Sequence, residues 1–330
     1  MTATLTTHEG IAKRYRGFAK HEVKGRSPLY EMLATRIVDD AAVLDFLARL
    51  PEIKQQPNLL FGAVKYLFGA AADWPRFQAL IAKHGDEIRD CMLNHATQTN
   101  EVARCATLLP VLAQLPQPLA LLEVGASAGL CLQPDRYAYD YGDGRVLRPP
   151  THDDAPVLPC AVNAHVPIPT RLPEIVWRAG LDLNPIDVND RDRCAWLEAL
   201  VWPEQLDRLA RLRAAIAIAR KDPPRLKRGN LLDDLAPLAA EAPKDATLVI
   251  FHSAVLAYVW PQDLRDRFAH DVRALNATWI SNETAQVFPQ IAAKTTRSPT
   301  PTNFLLAVNG EPVAWTDHHG AFAHWLPVTS

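Results

Sequence analysis

A run of small residues, Gly125-Ala126-Ser127-Ala128-Gly129, follows the apolar stretch Leu119–Val124 and has an acid, Glu123, at its entrance. A buried strand passing straight into such a turn, with a helix expected beyond it, lets backbone approach a ligand closely. The start of that helix would also offer unpaired N–H groups. The chemistry depends on what Glu123 and Ser127 add to the turn.

Three functional readings compete with a tight turn that binds nothing. A class I methyltransferase turn has an acid followed by glycines at alternate positions. Glu123, Gly125, Ser127 and Gly129 fall in that frame, with serine in place of the middle glycine. The carboxylate suits the cationic aminoacyl end of S-adenosylmethionine and disfavours a pyrophosphate. A dinucleotide turn needs G-x-G-x-x-G, which is absent. Gly125, Ser127 and Gly129 also match the G-x-S-x-G elbow of a serine hydrolase. That elbow normally follows several strands of its own sheet, whereas the first 115 residues read as helical. S-adenosylmethionine is the preferred ligand.

Later segments supply partners for it. Asp182 and Asn184, in Gly180-Leu181-Asp182-Leu183-Asn184-Pro185, follow a strand, where a carboxylate accepts from two ribose hydroxyls; a helix cap is the plainer account. Asp140 is a rival for the ribose. Asn230 and Leu231, in Arg228-Gly229-Asn230-Leu231-Leu232, end a short strand, and Asn230 offers adenine an acceptor unless it merely makes a turn. His252 and Ser253 end the fourth strand, where ligands of open α/β sheets gather; Ser253 could simply be a cap. Histidine titrates near neutrality, so His252 is the candidate general base and Glu283 the second. Upstream, Gln98, Asn100, Glu101 and Arg104 form a polar run able to close over the ligand, and Tyr139 is placed with them as a lid residue. The adjacent His318 and His319 read as a tight turn rather than a metal site, and no metal is expected.

The elements that must position these groups change character along the chain. Helical patterns fill the first 115 residues. Ser27-Pro28, Asp39-Asp40 and Asn58 open helices; Pro51 and Gly69 stop them; further helices are expected over 75–84 and 100–115. From Ala120 onward, short apolar runs alternate with helices such as 203–220, which implies a parallel sheet covered on both faces. Asn309-Gly310 between two strand-like runs predicts an antiparallel hairpin. The expected organisation is an N-terminal helical domain, 1–115, and an α/β domain, 116–330, with an excursion at about 133–173.

Bulk properties narrow the partners. A formal net charge of -2 gives no field to draw nucleic acid. Five cysteines without a C-x-x-C pair suit reduced thiols in the cytoplasm. No apolar run approaches roughly 18 residues, so no membrane span or signal peptide is expected. A small-molecule substrate fits best; the oligomeric state is left open.

The blocks HATQTNEVARC, LLEVGASAGLCL, DRYAYDYGDG, WRAGLDLNPIDV, ALVWPEQLDRLARLRAAIAIAR and FHSAVLAYV together resemble the bacterial domain-of-unknown-function family 2332. The resemblance spans nearly the whole chain. It implies a Rossmann-like fold of class I methyltransferase type, mostly parallel with an antiparallel C-terminal hairpin. It brings no established activity. RGNLLDDL is similar to the family's usual G-D-L-L, with Asn230 in place of the acid.

Overall fold

The computed structural model describes residues 7–150, 154–296, 298, 300 and 302–327. Its helices are α1 (His8–Phe18), α2 (Pro28–Ile37), α3 (Ala41–Ala48), α4 (Pro57–Phe68), α5 (Trp74–Asn94), α6 (Arg104–Leu112), α7 (Arg191–Leu200), α8 (Leu206–Lys221), α9 (Leu235–Ala239), α10 (Gln262–Ala274) and α11 (Pro289–Ala292). Its strands are β1 (Leu119–Val124), β2 (Ala138–Asp140), β3 (Val146–Leu147), β4 (Val157–Pro159), β5 (Ala161–Val162), β6 (Ile175–Asp182), β7 (Arg225–Arg228), β8 (Thr247–Ser253), β9 (Thr278–Thr284), β10 (Phe304–Val308), β11 (Glu311–Thr316) and β12 (Phe322–Trp325). Two compact units result. One takes the residues up to Thr99 together with Arg191–Ala210; the other takes Asn100–Asp190 and Arg211 onward.

The first unit is helical. Ser27 accepts from the Tyr30 amide with Pro28 at the first helical position, and Asp40 accepts from the Val43 amide. Both caps follow the sequence signals. The opening of α4 differs, because the helix starts at Pro57 and Asn58 accepts from Trp202 Nε1 at 2.9 Å instead of capping. Helix α5 does not end at His84. That residue leaves helical geometry (φ -121°, ψ 23°), and the chain kinks and continues to Asn94. Phe61 centres the core, with Tyr15, Phe18, Tyr30 and Phe77 at ring distances of 4.6 to 6.2 Å. Trp196 and Trp202 join that core, which is why 191–210 belongs to this unit.

The second unit is built on a nine-stranded sheet in the order β5-β12-β11-β10-β9-β8-β1-β6-β7. The run from β7 to β9 is parallel; β9, β10, β11 and β12 are then antiparallel in succession, and β5 pairs parallel with β12. Asn309 and Gly310 turn the β10–β11 hairpin at φ 52° and 83°, the double positive φ of a type I′ turn. The sequence pattern does not reveal β12 and β5, which are short and lack alternation. The excursion folds as a three-stranded sheet, β3-β2-β4.

Side chains alternate between the faces of β1. Leu119 and Leu121 pack with Leu108, Val111 and Leu112 of α6, while Leu122 and Val124 pack with α9 and α10 through Leu235, Leu238, Phe268 and Val272. Both faces of the sheet are therefore covered. All nine residues of α6 are buried, and this burial assigns the helix to the α/β unit instead of to a helical domain ending at 115. It is shorter than 100–115 because Asn100 and Glu101 are spent on other contacts. In α8 the buried residues are Leu212, Ala215, Ile216, Ile218 and Ala219, whereas Leu206, at the start of the helix, is 68% exposed. No helix among the described residues is long and apolar enough to cross a membrane.

Asn309 ties the hairpin to the sheet, accepting from the Trp279 amide at 2.8 Å while holding φ 52°. Asn309→Ala loses the bond and strains the backbone, and should cost roughly 2 kcal/mol. Asn309→Gly, which relieves only the strain, should cost about half of that. Urea midpoints at unchanged m-value check both.

Candidate functional site

At the carboxyl end of β1 the small-residue turn is held entirely by the protein. Gly125 N and Ala126 N donate to Leu181 O at 2.8 and 3.3 Å, and Gly129 N donates to Ala126 O at 2.7 Å. Ser127 N donates to Asp182 Oδ2 at 2.8 Å and Ala128 N to Asn100 Oδ1 at 3.2 Å. Asn100 Nδ2 also donates to Ser127 Oγ at 2.9 Å. All five amides from Gly125 to Gly129 are thus engaged. A phosphate nest or an oxyanion hole needs such donors free.

The turn does not run into a helix. Two 3₁₀ turns come next, Leu130–Leu132 and Pro134–Arg136, so the expected helix N-terminus is missing. Left-handed backbone explains the glycines: Gly125 has φ 73° and Gly129 φ 66°. Ser127 itself adopts φ 49°, a strained value for a non-glycine residue, maintained by bonds at its amide, its hydroxyl and its carbonyl, the last accepting from the Ile186 amide. Internal packing explains the glycines too. A Cβ on Gly125 would lie 1.9 Å from Val255 Cγ2, and one on Gly129 would lie 2.6 Å from Pro224 Cγ. The close approach that these glycines permit is made by the protein's own side chains.

Strand register divides the predicted site residues between the two faces. Glu123 is level with Gly180 and Phe251, and Ser253 with Asn282. By alternation Glu123, Asp182, Ser253 and Asn282 lie on the α6 side. Arg104, at the start of α6, donates from Nη1 to Ser253 O at 3.2 Å and from Nε to His318 O at 2.8 Å. Asn282 donates to Ser253 Oγ at 3.3 Å and accepts from Thr316 Oγ at 2.8 Å. Amid these satisfied groups Glu123 stands out. It is only 7% exposed, and its Oε2 is buried with no hydrogen-bond partner. Burial pushes its carboxyl well above the usual carboxylate range; Cys131 adds to this and Arg104 opposes it. An orphaned buried carboxyl oxygen is costly.

His252 lies on the opposite face, fully buried among Phe268, Trp279 and Phe288. Trp279 Nε1 donates to its Nε2 at 3.0 Å, so Nδ1 carries the proton donated to Glu283 Oε1 at 2.8 Å. The same Glu283 oxygen accepts from the Val255 and Leu256 amides at 2.9 and 3.0 Å. With both ring nitrogens engaged and no exposure, His252 offers no acceptor for a substrate proton. The pair instead fixes the backbone of Val255, the residue seated over Gly125. Neither His252 nor Glu283 is placed as a general base.

Several other expectations meet duller local bonds. Asp182 caps no helix; Oδ1 accepts from the Asn184 amide at 2.7 Å and Oδ2 from Ser127, so the carboxylate organises both loops. Asn184 Oδ1 accepts from Arg228 at 3.2 Å. Asn230 makes a turn, its Oδ1 accepting from Leu232 N at 2.8 Å. Leu231 is partly buried in the α9–α10 core. Asp140 accepts from Gly142 N at 2.8 Å within the small sheet. Tyr139 is no lid residue, being fully buried and donating to Pro134 O at 2.5 Å. Glu101 turns inward, accepting from Ala103 N at 3.2 Å. Gln98 belongs to the helical unit. His318 and His319 lie in a turn where Asp317 accepts from the His319 amide at 2.8 Å. No group of three or more His, Cys, Asp or Glu among the described residues is arranged to hold a metal. Sequence reasoning missed Val255, for which it held no signal.

The fold and site define an α/β protein with a large, mostly parallel sheet and a separate helical region. The family model described as an uncharacterized protein conserved in bacteria (DUF2332) matches residues 12–325, and the chain belongs to that family. No curated protein and no solved structure matches it.

Gly125→Ala should destabilise the protein by roughly 2–4 kcal/mol, from left-handed backbone and overlap with Val255. Adding Val255→Ala should recover part of that loss, which a double-mutant cycle in urea measures. Glu123 yields a pH prediction. Its raised native value means that the folded chain holds a proton which the unfolded chain has released, so stability falls as pH rises above the unfolded carboxylate value until the native group also ionises. Glu123→Gln should flatten that decline and raise the melting temperature at neutral pH.

Proposed function

We propose that this chain is a cytoplasmic S-adenosylmethionine-dependent methyltransferase acting on a small molecule, with a Rossmann-like sheet of class I type. One observation carries the reading: the unpartnered, buried Oε2 of Glu123 at the carboxyl end of β1. Going outward from β1, the chain lays down β6 and β7 on one side and then β8 and β9 on the other. The crevice at such a reversal is where open α/β sheets take ligands. What this crevice offers is acceptors, since the turn's amides are already consumed. A ligand with a cationic amine answers that need, and a phosphate does not.

Glu123 would accept from the aminoacyl ammonium and ionise as it does so. Asp182 keeps a second lone pair on each oxygen, which suits ribose hydroxyls, while its bonds to Ser127 N and Asn184 N hold the two flanking loops in place. Arg104 balances the charge of an ionised Glu123. Bound there, S-adenosylmethionine supplies an electrophilic methyl group on a sulfonium. The residues named here bind, orient and exclude water, which is where such transfers gain rate. No base is assigned, and an acceptor that is already nucleophilic needs none.

The G-x-S-x-G reading loses its support. Ser127 Oγ is bonded to Asn100, and the amide that an oxyanion would need, Ala128 N, is taken by the same side chain. A non-catalytic binder on the same fold is favoured by one observation, the seating of Val255 over Gly125.

Isothermal titration with S-adenosylmethionine and S-adenosylhomocysteine tests the proposal. Both should bind one per chain. The heat should vary with buffer ionisation enthalpy, because a proton leaves Glu123, and Glu123→Gln should bind at least about tenfold more weakly, or ~1.4 kcal/mol. Absence of binding to either compound overturns the reading. Binding with no labelled methyl transferred to the small-molecule fraction of a bacterial extract selects the non-catalytic alternative.

A further inference from the structure

Two of the five cysteines meet where the small-residue turn leaves β1. Cys105 is in the first turn of α6 and fully buried; Cys131 is in the 3₁₀ turn after Gly129 and partly exposed. Cys105 Sγ lies 3.7 Å from the Cys131 carbonyl oxygen, and Cys131 Sγ lies 3.6 Å from the Glu101 carbonyl oxygen. Cys91, Cys160 and Cys194 lie elsewhere: Cys91 contacts His95, and Cys160 contacts the Ala161 carbonyl.

We propose that Cys105 and Cys131 form a peroxide-sensing dithiol, with Cys131 the attacking sulfur and Cys105 the resolving one. Exposure sets the roles, since Cys131 is the residue of the two that is partly exposed and is met first by a hydroperoxide. Chemistry agrees with exposure. The neighbouring Cys105 draws the Cys131 thiol below its ordinary value against the effect of burial, and Arg104 assists, while burial pushes the Cys105 thiol up. In the first step the Cys131 thiolate attacks the terminal peroxide oxygen. An S–O bond forms, the O–O bond breaks, and the leaving oxygen takes a proton to depart as alcohol or water. Next, Cys105 sulfur attacks Cys131 sulfur; the S–S bond forms and the S–O bond breaks. Hydroxide leaves with the Cys105 proton as water. Two thiol sulfurs are oxidised and one hydroperoxide is reduced by two electrons.

The short 3₁₀ turn and the uncapped start of α6 are the local elements that must shift to bring the sulfurs to bonding distance. The product would join the start of α6 to the exit of the turn, beside Glu123. This inference stands whether or not S-adenosylmethionine binds.

The test is mass spectrometry of the full-length chain after equimolar hydrogen peroxide. The expected result is loss of two of the five titratable thiols, a disulfide joining the peptides that hold residues 105 and 131, and full recovery with dithiothreitol. Cys105→Ser should stop at a sulfenic acid on Cys131 that dimedone captures, and Cys131→Ser should give no linkage. Unreacted thiols, a link between other cysteines, or a sulfenic or sulfinic acid persisting on Cys131 of the unsubstituted chain would each overturn the proposal. The unsubstituted chain decides the matter even if a variant fails to fold.

Discussion

The saturation of the turn after β1 constrains everything else in the α/β unit. Four of its five consecutive amides are taken by three acceptors from different places: the Leu181 carbonyl on the neighbouring strand, the Asp182 carboxylate, and the Asn100 side chain ahead of α6. The fifth, Gly129 N, bonds back within the turn. With helix-start donors absent, because 3₁₀ turns replace the helix, the carboxyl end of the sheet becomes a place of acceptors. That inverts the usual electrostatics of a glycine-rich turn. The buried Glu123, with one oxygen unpartnered, lies at that end of the sheet.

Parity along the strands then sorts the polar residues. Successive residues face opposite ways, so His252 and Ser253 cannot serve the same pocket, nor can Asn282 and Glu283. One set joins Arg104 and Thr316 on the α6 side. The other closes into a buried chain from Trp279 through His252 to Glu283, ending on the Val255 and Leu256 amides. The second network acts on the first face indirectly, by setting the backbone that carries Val255.

Much of this was legible in the sequence, and the rest was hidden for identifiable reasons. The limits of β1, the caps at Ser27 and Asp40, the Asn309-Gly310 hairpin and the alternating sheet all arise from local chemistry that the fold leaves intact. Asn58 misled because tertiary context gave its side chain to Trp202. The helix expected after Gly129 misled because the frame of a motif does not encode the conformation of the chain beyond it. His252 looked like a base because its position at a strand end is visible in the sequence while its two partners, Trp279 and Glu283, are 27 and 31 residues away. Tyr139 and Asn230 show the same limit, since burial and self-made turns are invisible to spacing. Glu123 was found by its place in the motif; that its oxygen is orphaned needed the packing.

The central claim is that the Glu123 carboxyl is held neutral until a cation arrives. Carbon-detected NMR of side-chain-labelled glutamate, assigned by Glu123→Gln and followed through a pH titration, reads this directly. The account predicts a protonated Glu123 at neutral pH in the free protein, whose resonance moves to the carboxylate position when S-adenosylhomocysteine is added. A Glu123 already ionised at neutral pH, and indifferent to the ligand, would contradict it.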